Sequence, residues 1–188
     1  DATNTCKTVV QECLPCLKTK KCNKQDNSHA NYQTVTKKFH TVHADIVILE
    51  PSQGFSYLFT MIDRATGWIE AVPMRSMTAE ACIRAMLVGW VASFGAPQVL
   101  ITDNGTQFTG QKWSDFMERL NTEHRMGAPY RPEANGKIER FHHTLKQALA
   151  AKIEECGTSW NEELPWIMLA LRNSFKELTK KTLTEVVL

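Results

Sequence analysis

Two tight-turn signals within a β-rich segment limit the fold more than any other feature of this sequence. Residues 39–73 are rich in β-branched and aromatic types, and Gln53-Gly54 and Thr66-Gly67 interrupt them. Turns of this kind join neighbouring antiparallel strands directly. We therefore predict three consecutive strands, at residues 39–49, 57–62 and 68–73.

The following segment alternates between helical and strand patterns. Thr78 is a suitable N-cap, Ile83, Leu87 and Val91 recur at helical spacing, and Gly95 ends the helix 79–94. The later elements are predicted as a strand at 98–102, a helix at 111–121, a strand at 122–126, a loop at 127–136, and helices at 137–155 and 160–175. Three strands followed by this alternation predict an α/β domain with a five-stranded mixed sheet flanked by helices.

Composition excludes several classes of protein. The 188 residues are 43% hydrophobic and 22% charged, which is typical of a globular chain rather than a disordered one. No window approaches the apolar length of a membrane span, so no membrane partner is expected. The net charge of +2 is too small to indicate a nucleic-acid partner by itself. Any such partner has to be argued from local sites.

Three acidic residues occupy unusual positions. Asp45 interrupts an apolar strand, Asp103 follows the strand 98–102, and Glu139 begins the long helix. Each of them, taken singly, is interpreted as a capping or solvated acid. Together near one sheet edge, three carboxylates repel each other unless a cation lies between them. Oxygen ligands of this kind favour Mg²⁺ or Mn²⁺, and a pair of such ions suits phosphoryl transfer.

The sequence around these acids carries recognisable motifs. Thr102-Asp103-Asn104-Gly105 surrounds the second acid, and the segment PEANGKIERFH, which runs from Pro132 to His142, surrounds the third. The spacing of 35 residues between Asp103 and Glu139, together with these motifs and His43-Ala44-Asp45, resembles the catalytic core of retroviral and LTR-retrotransposon integrases. The last motif is most similar to the gypsy-type branch. The resemblance covers residues 39–188 and implies an RNase H-like fold, divalent metal ions and polynucleotidyl transfer.

The resemblance also implies residue roles. Asp45, Asp103 and Glu139 match the catalytic residues, which bind the metal ions. The residues expected to bind DNA are Tyr130, Asn135, Lys137, Arg140 and Lys146. For Lys146, a plain solvated lysine is the alternative.

The helix 137–155 has a predicted apolar stripe and a polar neighbour. The members of the stripe are Ile138, Phe141, Leu145 and Leu149. Glu139, Lys146 and one of two adjacent histidines lie on the next stripe, facing outward beside the acids. For His142 and His143 we expect surface or DNA-adjacent positions rather than metal ligation. Core positions are expected for Trp68, Trp90, Trp113 and Trp166.

Residues 1–38 are predicted to be the remnant of an N-terminal zinc-binding module followed by a basic linker. Cys13 and Cys16 form a CxxC that matches the second half of the His-His-Cys-Cys module of the family, whose histidines lie upstream. The zinc site is therefore incomplete, and we expect no stable zinc. Cys82 and Cys156 are expected to be core thiols. The first residue, Asp1, and the apolar C-terminal run predict an excerpt of a longer polypeptide.

These observations predict a DNA integrase that processes the 3′ ends of element DNA and joins them to target DNA, using two Mg²⁺ or Mn²⁺ ions. The expected partners are element DNA ends, target DNA, further copies of the chain in a dimer or tetramer, and host chromatin factors. We expect synthesis within a polyprotein in cytoplasmic particles and action in the nucleus. Two alternatives stay open: an RNase H-like nuclease that cuts without joining, and an inactive, host-captured relic that binds DNA or protein.

Overall fold

A five-stranded mixed sheet organises the fold. The computed structural model describes residues 37–127, 132–156, 159–176 and 180–187, without the side chains of residues 132–139, 155, 156 and 176. The strands are β1 (Thr41–Ser52), β2 (Phe55–Asp63), β3 (Ile69–Met74), β4 (Val99–Thr102) and β5 (Glu123–Met126). Their order across the sheet is β3-β2-β1-β4-β5. The first three strands are antiparallel, whereas β4 runs parallel to β1 and β5 runs parallel to β4. The predicted five-stranded mixed sheet is confirmed.

The helices follow the predicted order. They are α1 (Ala79–Met86), a π-helical segment (Leu87–Val91), α2 (Ala92–Phe94), α3 (Thr106–Thr109), α4 (Gln111–Arg119), α5 (Pro132–Cys156), α6 (Trp160–Asn173) and α7 (Leu183–Val187). Between α6 and α7, β6 (Phe175–Lys176) and β7 (Lys181–Thr182) form a second, two-stranded sheet. None of the described helices is long and apolar enough to cross a membrane.

The first hairpin turns at the predicted dipeptide. Gln53 has φ 49° and Gly54 has φ 81°, and Ser52 pairs with Phe55 across the turn. Two consecutive residues with positive φ are typical of the two-residue turns that match the twist of antiparallel strands. The turn therefore joins β1 directly to β2, and the register of the two strands shifts once between Ile48 and Ser52.

The helical segment after β3 packs one face against the core. Thr78 caps α1 as expected, because its hydroxyl oxygen accepts a hydrogen bond from the backbone N–H of Ala81 at 3.3 Å. The buried residues of the segment are Cys82, Ala85, Met86 and Trp90. Of the three apolar residues at helical spacing, Ile83 and Val91 are partly buried and pack against the core, whereas Leu87 is 40% exposed. A Cβ on Gly89 would lie 2.4 Å from Cγ2 of Val72. The absence of a side chain there lets this face approach β3 closely.

The long helix begins earlier than predicted. Residues 127–136 were predicted to form a loop, but α5 starts at Pro132. Proline is favoured in the first helical turn, because its missing N–H has no helical partner there, and helix-forming residues follow it. Leu145 and Leu149 are buried as predicted, and Phe141 packs against the core. The side chain of Ile138 lies outside the described residues.

Helix α6 is fixed to the outer strand of the sheet through an arginine. Both Nε and Nη2 of Arg172 donate hydrogen bonds to the carbonyl oxygen of Ile69, at 3.1 and 2.9 Å. The guanidinium group also pairs with Glu70 and lies 4.8 Å from the ring centre of Trp68. These contacts hold α6 against β3.

The prediction for Trp166 is wrong. Trp68, Trp90 and Trp113 are buried as expected, but Trp166 is 67% exposed. The buried face of α6 consists of Trp160, Leu164, Ile167 and Met168. Trp166 belongs to the opposite side of the helix, so its size alone was a poor guide to burial.

Only part of the cysteine prediction falls within the described residues. Cys82 is fully buried, and burial raises the pKa of its thiol to about 12, so the group stays neutral as expected of a core thiol. Cys13 and Cys16, and most of the segment 1–38, lie outside the described residues, as does the side chain of Cys156. The domain boundary at residue 38 therefore stays a prediction.

Candidate active site

The sheet register brings two of the three predicted acids together. His43 of β1 pairs with Ile101 of β4, and Asp45 and Asp103 each lie two residues further along. Side chains alternate between the two faces of an extended chain. Asp45 and Asp103 therefore lie on the same face of the sheet, at the same level and on adjacent parallel segments.

The surroundings of Asp45 disfavour an isolated negative charge. Its side chain is 38% exposed, and Oδ1 accepts a hydrogen bond from the backbone N–H of Ile46 at 2.7 Å. Burial raises the pKa of the Asp45 carboxyl group above its ordinary value and the charge of Asp103 adds to this, whereas Ile46 and Lys146 lower it. The charge of Asp103 thus destabilises the ionised form of Asp45, and a bound cation would offset this repulsion.

Asp103 shapes the loop that follows β4. Its Oδ1 accepts a hydrogen bond from the backbone N–H of Gly105 at 3.1 Å. The side-chain amide of Gln107 lies close to Gly105, where a Cβ would come within 2.1 Å of Nε2. The carboxylate is thus held at the start of a tight loop, next to β1.

Helix α5 contributes His142 to the site. Nε2 of His142 lies 2.7 Å from the hydroxyl oxygen of Thr60, and Nδ1 lies 3.6 Å from Oδ2 of Asp45. The side chain is only 14% exposed. Burial lowers the pKa of His142 to about 4, and the nearby charge of Lys146 lowers it as well. A neutral imidazole ring therefore packs beside Asp45. The surface position expected for His142 is wrong, while the alternative of a DNA-adjacent position stays a prediction.

At both Asp45 and Asp103, a threonine hydroxyl contacts the backbone carbonyl oxygen of the acid and a ring nitrogen of a histidine. Thr60 pairs with Asp45 across β1 and β2, and its hydroxyl donates to the carbonyl oxygen of Asp45 at 3.1 Å. The hydroxyl of Thr102 donates to the carbonyl oxygen of Asp103 at 2.8 Å and lies 2.8 Å from Nε2 of His124. Neither threonine was predicted from the sequence to support an acid. The sequence feature that could have indicated this role is a hydroxyl residue within an apolar strand, opposite or adjacent to an acid.

The third predicted acid is placed only by its backbone. Glu139 lies in α5, three residues before His142, and its side chain is outside the described residues. Residues three apart are neighbours on one helix face. Among the side chains that the structure describes, no group of three or more His, Cys, Asp or Glu forms a metal site.

The structure describes the side chains of only some of the predicted DNA-binding residues. Arg140 and Lys146 are exposed on α5. Asn135 and Lys137 have helical backbone in α5, with side chains outside the described residues, and Tyr130 lies outside them altogether. The structure thus brings Lys146 near Asp45, while the positions of the other side chains relative to the acids stay predictions.

The donor set fits a hard divalent cation. Asp45, which is partly buried, and Asp103, which is exposed, supply carboxylate oxygens that interact electrostatically. Mg²⁺ and Mn²⁺ prefer such oxygen ligands, and a divalent charge removes the repulsion between them. The pair can therefore hold a cation at the edge where β1 and β4 meet.

Sequence comparisons find related proteins. The family model described as the integrase core domain matches residues 35–132. The Gag-Pol polyprotein of Avian reticuloendotheliosis virus is 32% identical over 119 residues, which is 63% of this chain and 10% of that polyprotein. The transposon Tf2-3 polyprotein of Schizosaccharomyces pombe is 31% identical over 143 residues, which is 76% of this chain and 11% of that polyprotein. The chain therefore spans about a tenth of the length of these relatives.

The fold also matches a solved structure of this kind. The HTLV-2 integrase catalytic core domain in complex with magnesium superposes with a TM-score of 0.70 at 18% identity, over 82% of this chain and 99% of that chain. At this identity the likeness shows the fold alone, which is the predicted RNase H-like one. The assignment to the gypsy-type branch stays a prediction. Since the family model covers half of the chain and the fold agrees with it, the chain belongs to the integrase core domain family.

Proposed function

We propose that the chain is the catalytic core of a DNA integrase, which processes the 3′ ends of element DNA and joins them to target DNA. The observation that carries this proposal is the position of Asp45 and Asp103 at the same level of adjacent parallel segments, where the charge of Asp103 helps to raise the pKa of the Asp45 carboxyl group. Phosphoryl transfer needs little covalent chemistry from a protein; it needs positioning and compensation of charge. Two neighbouring carboxylates, one of them partly buried, suit this task because they can hold a cation.

Asp45, Asp103 and Glu139 are the residues that would hold two Mg²⁺ or Mn²⁺ ions. When bound, the ions supply charge compensation for the attacking and leaving oxygens of an in-line displacement. The contribution of the chain is to orient these ligands: Ile46 N–H fixes one oxygen of Asp45, and Gly105 N–H fixes one oxygen of Asp103. These hydrogen bonds restrict each carboxylate before substrate arrives.

DNA is the proposed substrate, and the basic residues of α5 are its proposed contacts. Lys146 and Arg140 are exposed cations on the helix that carries Glu139, and Lys146 lies near Asp45. Cations at this position suit backbone phosphates, which position a duplex without reading its sequence. Tyr130, Asn135 and Lys137 complete the proposed DNA-binding set.

The proposed partners follow from the same chemistry. Joining two DNA ends requires two active sites, so a dimer or tetramer of the chain is proposed, together with target DNA and host chromatin factors. The chain is proposed to be released from a polyprotein made in cytoplasmic particles and to act in the nucleus. Residues 1–38 are proposed to be what is left of a zinc module and its basic linker.

A branched DNA that mimics the strand-transfer product tests the proposal. Incubated with Mn²⁺ or Mg²⁺, the chain is expected to resolve the branch into the two DNA molecules from which it was formed. The Asp103→Asn variant keeps the shape of the side chain and removes its charge, so we expect it to lose this activity by at least about 1,000-fold. Retained activity in Asp103→Asn would overturn the assignment of the acids. Cleavage without rejoining would support the nuclease, and no reaction together with no metal binding would support the inactive relic.

A further inference from the structure

The imidazole ring of His142 is oriented by a buried hydrogen bond. Thr60 is 1% exposed and His142 is 14% exposed, so water has little access to the contact of 2.7 Å between Oγ1 and Nε2. Thr60 lies opposite Asp45 in the β1–β2 ladder. The ring is therefore fixed relative to the strand that carries the acid.

The hydrogen bonds of Thr60 assign the tautomer of His142. A threonine hydroxyl has one proton, and that of Thr60 is donated to the carbonyl oxygen of Asp45, which can only accept. The hydroxyl oxygen must then accept from Nε2 of His142, so Nε2 carries the ring proton. In the neutral ring, Nδ1 has a free lone pair.

This lone pair faces a carboxylate oxygen. Nδ1 lies 3.6 Å from Oδ2 of Asp45, while Oδ1 is occupied by the N–H of Ile46. The separation is too long for a hydrogen bond. Two atoms that each bind one ion at about 2.1 Å lie roughly 3 to 4 Å apart, so the distance suits two ligands of the same cation. A histidine that binds a metal commonly donates its other ring N–H to a neighbouring group, as His142 does to Thr60.

We propose that Nδ1 of His142 is a nitrogen ligand of the divalent ion that Asp45 holds, in addition to the acidic residues. The inference rests on the proposed function, because it assumes that Asp45 binds a metal ion. It changes the expected chemistry of the site: nitrogen suits transition-metal ions, whereas Mg²⁺ is bound through oxygen. A site with His142 as a ligand therefore favours Mn²⁺ over Mg²⁺ more strongly than three carboxylates alone.

Electron paramagnetic resonance of the Mn²⁺-loaded chain tests the inference without relying on activity. Pulsed measurements detect a nitrogen atom bound directly to Mn²⁺, and the signal of free Mn²⁺ gives the Kd. We expect nitrogen coupling in the unaltered chain and its loss in His142→Asn, with a Kd for Mn²⁺ raised by about tenfold or more. The Kd for Mg²⁺, measured by competition, is expected to change by less than about threefold.

His143→Asn is the matched control. His143 is the adjacent histidine on α5 and is exposed. Its replacement is expected to leave both the nitrogen coupling and the two Kd values unchanged. His142→Gln serves as a second variant if His142→Asn does not give a cooperative thermal transition.

The outcomes separate this inference from the proposed function. Mn²⁺ binding that depends on Asp45 but shows no nitrogen coupling would overturn the role of His142 and leave the proposed function standing. Coupling that persists in His142→Asn would assign the nitrogen to another residue and also overturn the inference. A chain that binds no Mn²⁺ at all would overturn both.

Discussion

Two histidine–threonine pairs lie behind the two acids, and they differ in one respect. In both, a threonine hydroxyl donates to the carbonyl oxygen of an acid and contacts Nε2 of a histidine: Thr60 with His142, and Thr102 with His124. The ring of His124 lies edge-on to Trp113, with 6.1 Å between the ring centres. The ring of His142 instead directs Nδ1 at Oδ2 of Asp45.

The two pairs share a structural role, and the pair at Asp45 has an additional feature that bears on metal binding. Because the same hydrogen bonds recur at both acids, their shared effect is to fix the backbone from which each carboxylate projects. A buried hydroxyl and a buried ring nitrogen satisfy one another in both pairs, which stabilises the sheet locally. Only the pair at Asp45 places a second nitrogen beside a carboxylate. Substitutions in the two pairs should therefore have similar effects on stability and different effects on metal binding.

The largest effect is expected from Asp45 itself. Asp45→Asn removes the charge of a proposed metal ligand, so strand transfer should fall by at least about 1,000-fold. The melting temperature of the metal-free variant should not fall, because burial and Asp103 both disfavour the native charge. Calorimetry and the branched-DNA assay measure the two effects. Asp115→Asn, at an exposed acid on α4, is the control and should change neither. A large loss of stability in Asp45→Asn would contradict the repulsion described for the site.

The two threonines give the direct comparison. Thr60→Val and Thr102→Val keep the shape of the side chain and remove the hydroxyl, which leaves a histidine nitrogen and an acid carbonyl without their partner. Each is expected to lower the free energy of unfolding by about 1–3 kcal/mol in chemical denaturation. Thr60→Val should also raise the Kd for Mn²⁺, because the orientation of His142 is lost, while Thr102→Val should raise it less. Equal effects on the Kd would mean that both pairs act only as supports.

The smallest effect concerns pH. Burial lowers the pKa of His124 below its ordinary value of 6.5. As the pH falls below 6.5, the unfolded chain takes up a proton that the folded chain resists, so the metal-free protein should lose stability in this range. His124→Asn should show a shallower decline of melting temperature between pH 7 and pH 5 than the unaltered chain. An unchanged slope would mean that His124 is not shielded from water as the structure describes.

Much of the sheet and part of the site follow from local patterns. Gln53-Gly54 and Thr66-Gly67 predicted the hairpins because such dipeptides suit turns, although the second connection spans residues 64–68. Asp45 and Asp103 were predicted to converge because of their positions in and after apolar strands and the resemblance of their motifs to one family. The start of α5 at Pro132 was not predicted, since proline and glycine in that segment also suit a loop.

Contacts between elements were harder to predict. The burial of His142 depends on the angle at which α5 rotates against β2, and that angle is set by packing of residues such as Leu145 and Leu149. The exposure of Trp166 depends in the same way on the rotation of α6. The rotation of a helix against a sheet is a property of the whole core, so a local pattern predicts the apolar face but not its exact boundary.

The arginine on α6 also limits the width of the sheet. Strand β3 is at one margin, where unpaired backbone groups are a template for further strands and for aggregation. Arg172 already occupies the carbonyl oxygen of Ile69, and Pro73 within the same strand has no N–H to offer. An incoming strand would find one acceptor taken and one donor missing. The margin of the sheet that lies furthest from β5 is therefore a poor template for a sixth strand.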